Sequence, residues 1–566
     1  MDSFKHYKKF IFIAGLFFLV FSQSVSAVNF SDVINFNVDS NFDASGRLQV
    51  TAVLVKTSPR VYFYIEKPWW DSQLQSEKDR TLNSLDALSS EFENNIYPTL
   101  TSVFGSEWKP GVDGDERITI LFHDMNSTEG GYFRTTDEYI KLQLPGSNER
   151  EMLYLSLKLL NSPKAKVILA HEFVHLITFN QKNKIFGVEE EVWLNEARAD
   201  YSSNILGYDS EYQGSNLQAR VKDFIEKPSD SITEWKGSKY DYASSSLFTH
   251  YMVDHFGINT LIDSLKSKYI GIESINYALD RSGYKKKFSE IFTNWTVTVA
   301  INDCSIDLKY CYLNKNLKNL RIVPGLNFLP SAGDVSLSVS NVTKNWAGNW
   351  QKFIGGSGDF QLNFSGIAGL DFQVPYVIED KIGNYAVKFL ALDEKEKGKI
   401  IIPNFGTDYK SLVIIPSLQA KLSGFDGMEL TYPFSYAVVV KGEVGVGDQD
   451  LIQQLLNQIE YLKNKIAELL AKQGNLGGQN FCEQLNNNLY FGMSNDNVRC
   501  LQKFLKNQGQ DIYPEGLVTG YFGNLTAAAV TRFQEKYASE ILNPLGLHSG
   551  TGFVGPSTRA KINQSL

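Results

Sequence analysis

Apolar and polar residues alternate along the chain with two different periods, first that of a β-strand and then that of a helix. Residues 28–75 alternate with a period of two, as in RLQVTAVLVK and RVYFYIEK, which predicts β-strands. A helical stretch is predicted over about 76–104 and again over most of 148–280, with the short strand RITILFHD between them. From about 322 to 443, short β-prone runs such as DFQLNFSG and SLVIIPSL are broken by Gly, Asn and Asp, which predicts a β-sandwich.

Two glycine-rich hinges, GEVGVGDQD and QGNLGGQN, enclose a further helical segment. Its apolar positions are spaced alternately by three and four residues, and they are Ile452, Leu455, Ile459, Leu462, Ile466 and Leu469. This heptad pattern favours a parallel two-stranded coiled coil, and hence a dimer through residues 451–470. A stiff helical spacer within one chain explains the same spacing. Residues 481–566 then contain three helical patterns, NDNVRCLQKFLKNQG, NLTAAAVTRFQEKYA and GPSTRAKIN.

A chain of 566 residues is too long for one hydrophobic core. We therefore predict a multidomain protein with an α+β domain that combines a mixed sheet with a mainly helical lobe. The predicted parts are a signal peptide (1–27), the α+β domain (28–320), an all-β sandwich (321–445), a helical or coiled-coil linker (446–478) and a small three-helix domain (479–566). The sandwich carries no chemical motif, so a structural or a carbohydrate- or protein-contacting role is expected for it.

The start of the chain predicts export. Lys5, Lys8 and Lys9 precede a short apolar run over 11–21, and Val-Ser-Ala at 25–27 supplies small residues for cleavage. An uncleaved membrane anchor is the alternative, and no later stretch is long and apolar enough to span a bilayer. The net charge of −8 is spread out without a basic stripe, which argues against a nucleic-acid partner.

Four cysteines occur as two local pairs, Cys304 with Cys311 and Cys482 with Cys500. In an exported protein this pattern predicts two short-loop disulfides. A metal site is the alternative, but neither pair has the Cys-x-x-Cys spacing that such sites use.

The stretch LAHEFVHLITF has the apolar content of a buried helix, yet it contains His171, Glu172 and His175. The two histidines are four residues apart, so both rings project from one helix face, which suits two ligands on one Zn²⁺. Glu172 lies beside them, where it can reach a zinc-bound water. A buried carboxylate alone costs several kcal/mol, and a divalent cation would offset that cost. A chance match with ordinary core histidines is the alternative.

A second helical stretch, EVWLNEARADYSSNILG, places Glu196 and Asp200 on one face. Glu196 can supply a third ligand and leave a fourth position open for water. Asp200 can accept a hydrogen bond from the far nitrogen of a ligand histidine and so fix its tautomer. A solvated acidic face is the alternative reading of these two residues.

The motif HEFVH followed by NEARAD resembles the gluzincin metallopeptidases of the thermolysin clan. The flanking stretches LAHEFVHLITFNQ, ITILFHDMNSTEGGYF, SNEREMLY and YDYASSSLFTHYMVDHFG most resemble hyicolysin-like secreted bacterial peptidases, over roughly residues 50–300. The resemblance implies a zinc endopeptidase in which His171, His175 and Glu196 bind one zinc ion and Glu172 is the general base. It also implies that Asn195 and Asp200 support the ligands, and that RITILFH is an edge strand that pairs with the substrate.

The donor to the tetrahedral oxyanion is less defined. The candidates are Tyr242, Tyr240 and His250, and we favour Tyr242 from its place in YDYASSSLF ahead of a helix. Packing roles explain all three equally. His123 and His255 are expected to be structural, and DGDE at 113–116 is expected to be a turn.

The end of the chain also has a resemblance. NVRCLQKFL, GLVTGYFGNLTAAAVTRFQEKY and GFVGPSTRAKIN are similar to a small peptidoglycan-binding module. This implies retention on the bacterial cell wall, with a disulfide from Cys482 to Cys500 inside the module. A generic helical cap is the alternative.

Together these features predict a secreted or wall-associated endopeptidase acting on protein, peptide or the wall's own cross-linking peptide. The alternative is a non-catalytic wall-binding adhesin or scaffold with a vestigial zinc site. The sequence leaves open whether residues 28–75 are a removable inhibitor or part of the catalytic fold.

Overall fold

A computed structural model describes residues 32–126, 130–330, 334–425, 429–441, 484–490, 493, 496–547 and 549–564. The described residues up to 441 form one compact unit, and those from 484 onward form a second. In these ranges no helix has the length and apolar character needed to cross a membrane. The predicted signal peptide, the heptad segment and Cys482 lie outside the described residues.

The first unit contains a six-stranded mixed sheet with the strand order β1-β2-β3-β4-β6-β5. Strands β3, β4 and β6 run parallel, and the other neighbours are antiparallel. Every residue of these three parallel strands is buried, as is typical of central parallel strands. The strands are β1 (Val33–Asn37), β2 (Gln49–Thr57), β3 (Val61–Glu66), β4 (Ile118–His123), β5 (Gly131–Phe133) and β6 (Met152–Ser156).

The expectation that RITILFH forms an edge strand is wrong. Strand β4 is hydrogen-bonded to β3 along one side and to β6 along the other, so neither side is free for a substrate. The two edge strands of the described sheet are β1, which pairs with β2, and β5, which pairs with β6.

The same sheet shows whether the N-terminal segment is a removable body or part of the fold. Strands β1, β2 and β3 are half of its six strands, and β3 pairs directly with the central β4. From Val33 onward this segment is therefore part of the main fold rather than a separate, removable body.

Ten helices follow or interrupt the sheet and build most of the lobe beyond β6. Short π-helical turns extend α2 through Phe92–Ile96 and α4 through Phe179–Lys184. The helices are α1 (Lys67–Ser72), α2 (Gln75–Glu91), α3 (Tyr97–Phe104), α4 (Ala165–Thr178), α5 (Val192–Ile205), α6 (Asn216–Glu226), α7 (Lys239–Phe256), α8 (Asn259–Leu265), α9 (Gly271–Arg281) and α10 (Phe288–Ile301).

The all-β part consists of two layers around one core. Strands β7, β9, β15, β12 and β13 form one layer and β14, β10, β17 and β8 the other, and a single pair, Phe405 with Tyr409, joins them. Side chains from both layers share the core, among them Phe353, Ile414, Phe360 and Val438. The strands are β7 (Gly325–Leu329), β8 (Val335–Thr343), β9 (Gln351–Gly355), β10 (Gly358–Ser365), β11 (Phe372–Gln373), β12 (Pro375–Asp380), β13 (Tyr385–Phe389), β14 (Lys397–Phe405), β15 (Tyr409–Ile414), β16 (Ser417–Leu418) and β17 (Tyr432–Lys441).

This all-β part is fused to the helical lobe rather than appended to it. Trp346 and Trp350 belong to the same apolar core as the helices. The indole Nε1 of Trp350 donates a hydrogen bond to the carbonyl oxygen of Thr296 in α10, at 2.8 Å. The helical lobe and the all-β part therefore belong to one compact unit.

The second unit contains α11 (Asp496–Asn507), α12 (Asn524–Lys536), the short α13 (Ala538–Ile541) and α14 (Pro556–Asn563). The three predicted helices are α11, α12 and α14, and the unit has its own apolar core. The predicted disulfide between Cys304 and Cys311 is present. Cys500 is disulfide-bonded as well, but its predicted partner Cys482 lies outside the described residues, so that pairing stays a prediction.

Candidate metal centre

Helix α4 brings two imidazole rings to one point. Ten of its fourteen residues are buried, so most of the helix surface packs against the rest of the lobe. His171 and His175 are one turn apart, and their ring centroids are 4.9 Å from each other. The two rings therefore lie on one face of the helix, as predicted.

Helix α5 brings the third candidate ligand to the same point. Its start is held by Glu191, whose Oε2 accepts a hydrogen bond from the indole Nε1 of Trp193 at 2.8 Å. Glu196, one turn in, places Oε2 3.0 Å from Nε2 of His171 and 3.6 Å from Nε2 of His175.

The ligand-type atoms of His171, His175 and Glu196 all lie within 4.8 Å of one another. Two imidazoles and one carboxylate that converge in this way match the donor set of a catalytic zinc site, which keeps one position open. The residues present therefore fit the metal that the sequence predicts.

The three side chains also form one electrostatic set. Burial raises the pKa of Glu196, but the charges of the two histidines outweigh burial and leave the pKa below its usual range. Burial lowers the pKa of His175, and the carboxylate of Glu196 more than reverses this and raises that pKa to about 9. The carboxylate of Glu196 and the imidazole of His175 thus stabilise each other's charged forms in the metal-free protein.

Glu172 is buried beside these ligands, next to the edge strand β5. A Cβ atom added to Gly131 of β5 would lie 3.1 Å from Cγ of Glu172 and 2.8 Å from Cγ2 of Ile168. Only a glycine allows the strand to approach α4 this closely. An edge strand of the sheet therefore passes directly beside the carboxylate predicted to be the general base.

Asp200 lies one turn after Glu196 and is held by residues that the sequence analysis did not identify. Its Oδ1 accepts hydrogen bonds from Nη2 of Arg220 at 2.8 Å and from Nδ2 of Asn216 at 2.8 Å. Burial raises the pKa of Asp200, but the charge and hydrogen bond of Arg220, and then the charge of His171, outweigh burial and leave that pKa lowered. Its predicted hydrogen bond to a ligand histidine stays a prediction.

Asn195 is close to the far side of a ligand histidine. Its Oδ1 and the Nδ1 atom of His175 are both buried and without a hydrogen-bond partner of good geometry. Asn195 nevertheless contributes to raising the pKa of His175, after Glu196 and Glu172. This placement agrees with the supporting role that the motif implies.

Of the three oxyanion candidates, Tyr242 lies with the site. Its ring centroid is 6.4 Å from that of His171, and its pKa is raised by burial and then by the charges of Glu196 and Glu172. The hydroxyl of Tyr240 instead donates to Glu226 on the surface, at 2.6 Å.

His250 is fully buried, and burial lowers its pKa to about 4. Its ring packs against Tyr201, with 4.8 Å between centroids, rather than against either ligand histidine. These contacts describe a packing residue.

Arg220 is the site residue that sequence reasoning missed. Besides Asp200, its guanidinium lies over the ring of Tyr242, with Cζ 4.7 Å from the ring centroid. It is on α6, twenty residues beyond Asp200, and no motif marks it.

Two further histidines of the described residues, His123 and His255, have structural partners. His123 is buried, with Nε2 3.1 Å from the Tyr132 hydroxyl and Nδ1 3.4 Å from Oδ2 of Asp43. His255 donates through Nε2 to the carbonyl oxygen of Cys311 at 2.9 Å. In the 113–116 segment, Oδ1 of Asp113 accepts from the backbone N–H of Asp115 at 2.9 Å, as in a turn.

Comparison with known proteins agrees with this geometry. Over 189 residues the chain is 30% identical to the neutral metalloprotease ShpI of Staphylococcus hyicus. The aligned region covers 29% of this chain and 41% of ShpI. The resemblance to hyicolysin-like metalloproteases is confirmed. The chain thus spans less than half the length of this relative. Residues 494–562 match the family described as "Putative peptidoglycan binding domain".

Solved structures add little. The pre-peptidase C-terminal domain of a Bacillus anthracis collagenase aligns with 20% of this chain and 96% of its own, at 8% identity and a TM-score of 0.14. The lysozyme inhibitor PliG of Aeromonas hydrophila aligns with 21% of this chain and 100% of its own, at 12% identity and a TM-score of 0.14. Neither carries an argument about fold or function.

Proposed function

We propose that this protein is a secreted zinc endopeptidase retained on the bacterial cell wall by its C-terminal unit. The observation that carries the proposal is the convergence of His171, His175 and Glu196, with Glu172 beside them. The partial match to a metalloprotease and the match to a peptidoglycan-binding family support it.

In the proposed reaction, His171, His175 and Glu196 would hold a zinc ion, which would supply a Lewis acid able to acidify water and polarise a carbonyl. Glu172 accepts the proton of the attacking water and then donates it to the amine that leaves. Asn195 and Asp200 would support the ligands, Asp200 by accepting a hydrogen bond from the far nitrogen of a ligand histidine.

The substrate backbone is proposed to pair with β5. This strand has one free edge and passes beside Glu172, so an extended peptide added there would bring its backbone to the zinc ligands. Strand addition of this kind gives affinity through main-chain hydrogen bonds, while side-chain pockets set specificity.

Tyr242 is proposed to donate its hydroxyl to the oxyanion. Arg220 lies over one part of the ring, and Trp235 meets it edge-on at 4.8 Å between centroids. A ring held from two sides loses little freedom when it donates, which is the condition for effective oxyanion stabilisation.

The alternative is a wall-binding adhesin or scaffold with a vestigial zinc site. The buried Glu172 favours the enzyme, because a structural zinc site needs no general base and usually closes its fourth position. Protein and wall cross-linking peptide both remain candidate substrates, and a dimer through residues 451–470 stays a prediction.

The test compares the wild-type chain with Glu172→Gln, on casein and on purified sacculi, with zinc measured in both proteins. We expect about 10²–10⁴-fold slower turnover in the variant with its zinc retained, as for loss of a general base. Full activity in Glu172→Gln would refute the mechanism. A zinc-containing wild type that releases no fragments from either substrate would favour the scaffold.

A further inference from the structure

The C-terminal unit is built from two copies of one short motif. Residues 519–530 read TGYFGNLTAAAV, and residues 551–562 read TGFVGPSTRAKI, a step of 32 residues. Each copy forms a loop followed at once by a helix, α12 in the first copy and α14 in the second. Gly520 and Gly552 both have positive φ, so the two loops make the same turn.

One buried glutamine in the preceding helix holds each loop. Gln502 donates through Nε2 to Thr519 Oγ1 (3.3 Å), Tyr521 O (2.8 Å) and Thr526 Oγ1 (2.9 Å). Gln534 donates through Nε2 to Thr551 Oγ1 (3.3 Å), Phe553 O (2.7 Å) and Thr558 Oγ1 (3.0 Å). The partners follow each glutamine at the same three separations, so the two loops are equivalent and rigid.

Each rigid loop presents one aromatic ring to solvent. Tyr521 is 47% exposed and Phe553 is 40% exposed. A Cβ added to Gly523 would lie 3.3 Å from the Tyr521 ring, and one added to Gly555 would lie 3.0 Å from the Phe553 ring. Each ring therefore lies across its own glycine, while the next residue, Phe522 or Val554, is buried.

We propose that these two loops are a pair of equivalent binding sites for the glycan strand of peptidoglycan. The proposal rests on the wall-binding function proposed above and adds the contact residues and their number. Tyr521 and Phe553 each stack on a sugar ring, and the two loops together bind one polymer bivalently.

The choice of ligand follows from the repeat. The family match over residues 494–562 includes both loops, so the wall is the partner to which this unit is assigned. A polymer of repeating sugar rings offers the same face many times, which suits two copies of one site. Aromatic rings fixed by packing bind such apolar faces with little loss of conformational freedom.

Comparison of the two copies distinguishes exposed side chains that are repeated from those that are not. Leu525 in the first copy is 43% exposed, but the second copy has Ser557 at that position. Tyr521 and Phe553 are aromatic in both copies, whereas this neighbouring apolar side chain is not repeated. Leu525→Ala is therefore a matched control of similar exposure.

The experiment measures binding of the full chain to purified sacculi, with Glu172→Gln in every variant to prevent digestion. Tyr521→Ala and Phe553→Ala are each expected to weaken binding by about 10²-fold, because either change removes the gain from bivalency. The double variant should show no measurable binding. Leu525→Ala, Tyr521→Phe and Phe553→Tyr should bind like the parent.

Peptide-free glycan chains used as competitor should displace the parent chain from sacculi. Free stem peptides should not, and displacement by stem peptides alone would overturn the assignment to glycan. Loss of all binding on changing one ring, with no effect of the other, would overturn the equivalence of the sites.

The outcome also separates this inference from the proposed function. A parent chain that does not bind sacculi contradicts wall retention itself. A parent that binds, with a double variant that binds as tightly, contradicts only the role of the two loops. Thermal unfolding of each variant shows whether the unit stays folded, and Tyr521→Phe and Phe553→Tyr, which keep the ring, separate packing from binding.

Discussion

Two clusters in the described residues bring three ligand-type atoms within 4.8 Å of one another. One is the zinc candidate, and the other consists of Asp230, Asp241 and Glu429. By distance alone both could hold a cation. They differ in the positive charge that the protein itself supplies.

The second cluster carries its own ammonium groups. Nζ of Lys344 lies 2.5 Å from Oδ1 of Asp230 and 2.8 Å from Oε1 of Glu429, and Lys236 lies 2.7 Å from Oε2 of Glu429. Asp241 instead caps α7, accepting from the backbone N–H of Ser238 at 2.7 Å. These carboxylates need no metal, and their ion pairs clamp the all-β part to the segment before α7.

At the zinc candidate no lysine or arginine among the described residues pairs with Glu196. Its ion-pair partners are His171 and His175, which are themselves ligands. Those two histidines would have to give up their charge to bind a metal, and the cation would then replace it. The comparison teaches that the source of the counter-charge, rather than the density of ligand atoms, distinguishes the two clusters: lysines pair with the Asp230 cluster, and the candidate ligands themselves pair with Glu196.

The largest effect is expected at the zinc candidate, and substitution of one carboxylate in each cluster tests it. Glu196→Ala is expected to lose zinc and reduce proteolysis to background, because two histidines alone bind the metal weakly. Asp230→Asn should keep zinc and turnover. Metal analysis measures the zinc content and casein digestion measures the turnover. Loss of zinc in Asp230→Asn would contradict the distinction between the two carboxylate clusters.

Removing the proposed oxyanion donor should have the next largest effect. Tyr242→Phe is expected to lower kcat by about 10²-fold with little change in KM, since the hydroxyl acts only in the transition state. Tyr240→Phe is the matched control and should leave kcat unchanged. Equal effects of the two substitutions would remove Tyr242 from the mechanism.

Breaking the lysine clamp should affect stability more than chemistry. Lys344→Met leaves Asp230 and Glu429 without their shared cation, and we expect a loss of about 3 kcal/mol in the free energy of unfolding. Denaturant unfolding measures it. An unchanged stability together with lost zinc would mean that the two clusters had been assigned the wrong way round.

The smallest effect is expected at the cap of α7. Asp241→Ala removes the acceptor for the N–H of Ser238 and should cost about 1 kcal/mol of stability. Asp241→Asn keeps an acceptor oxygen and should cost less. A fall in zinc content in either variant would contradict the structural role given to this carboxylate.

The zinc candidate could be predicted because its residues are close together in the sequence. His171 and His175 share a face through helical spacing alone, and Glu196 follows within one helix hairpin. Strand order is not local, and the position of β4 was therefore predicted wrongly. Its run ITILFH has no polar alternation, a pattern typical of a central parallel strand, and this signal could have identified it as interior.

Other features depend on contacts that no spacing encodes. Arg220 reaches Asp200 and Tyr242 only because α6 and α7 pack together, and its sequence surroundings resemble those of any surface helix. Fusion of the all-β part to the lobe depends on Trp346 and Trp350, whose burial partners lie far away in the chain. The repeat in the C-terminal unit, by contrast, was visible in the sequence as TGYFG and TGFVG.

The most direct test is anomalous scattering at the zinc edge from crystals grown with zinc. The account predicts a single strong peak bounded by Nε2 of His171, Nε2 of His175 and the carboxylate of Glu196, with none at the Asp230 cluster. A map that is empty at the histidines, or whose peak lies between Asp230 and Glu429, would contradict it.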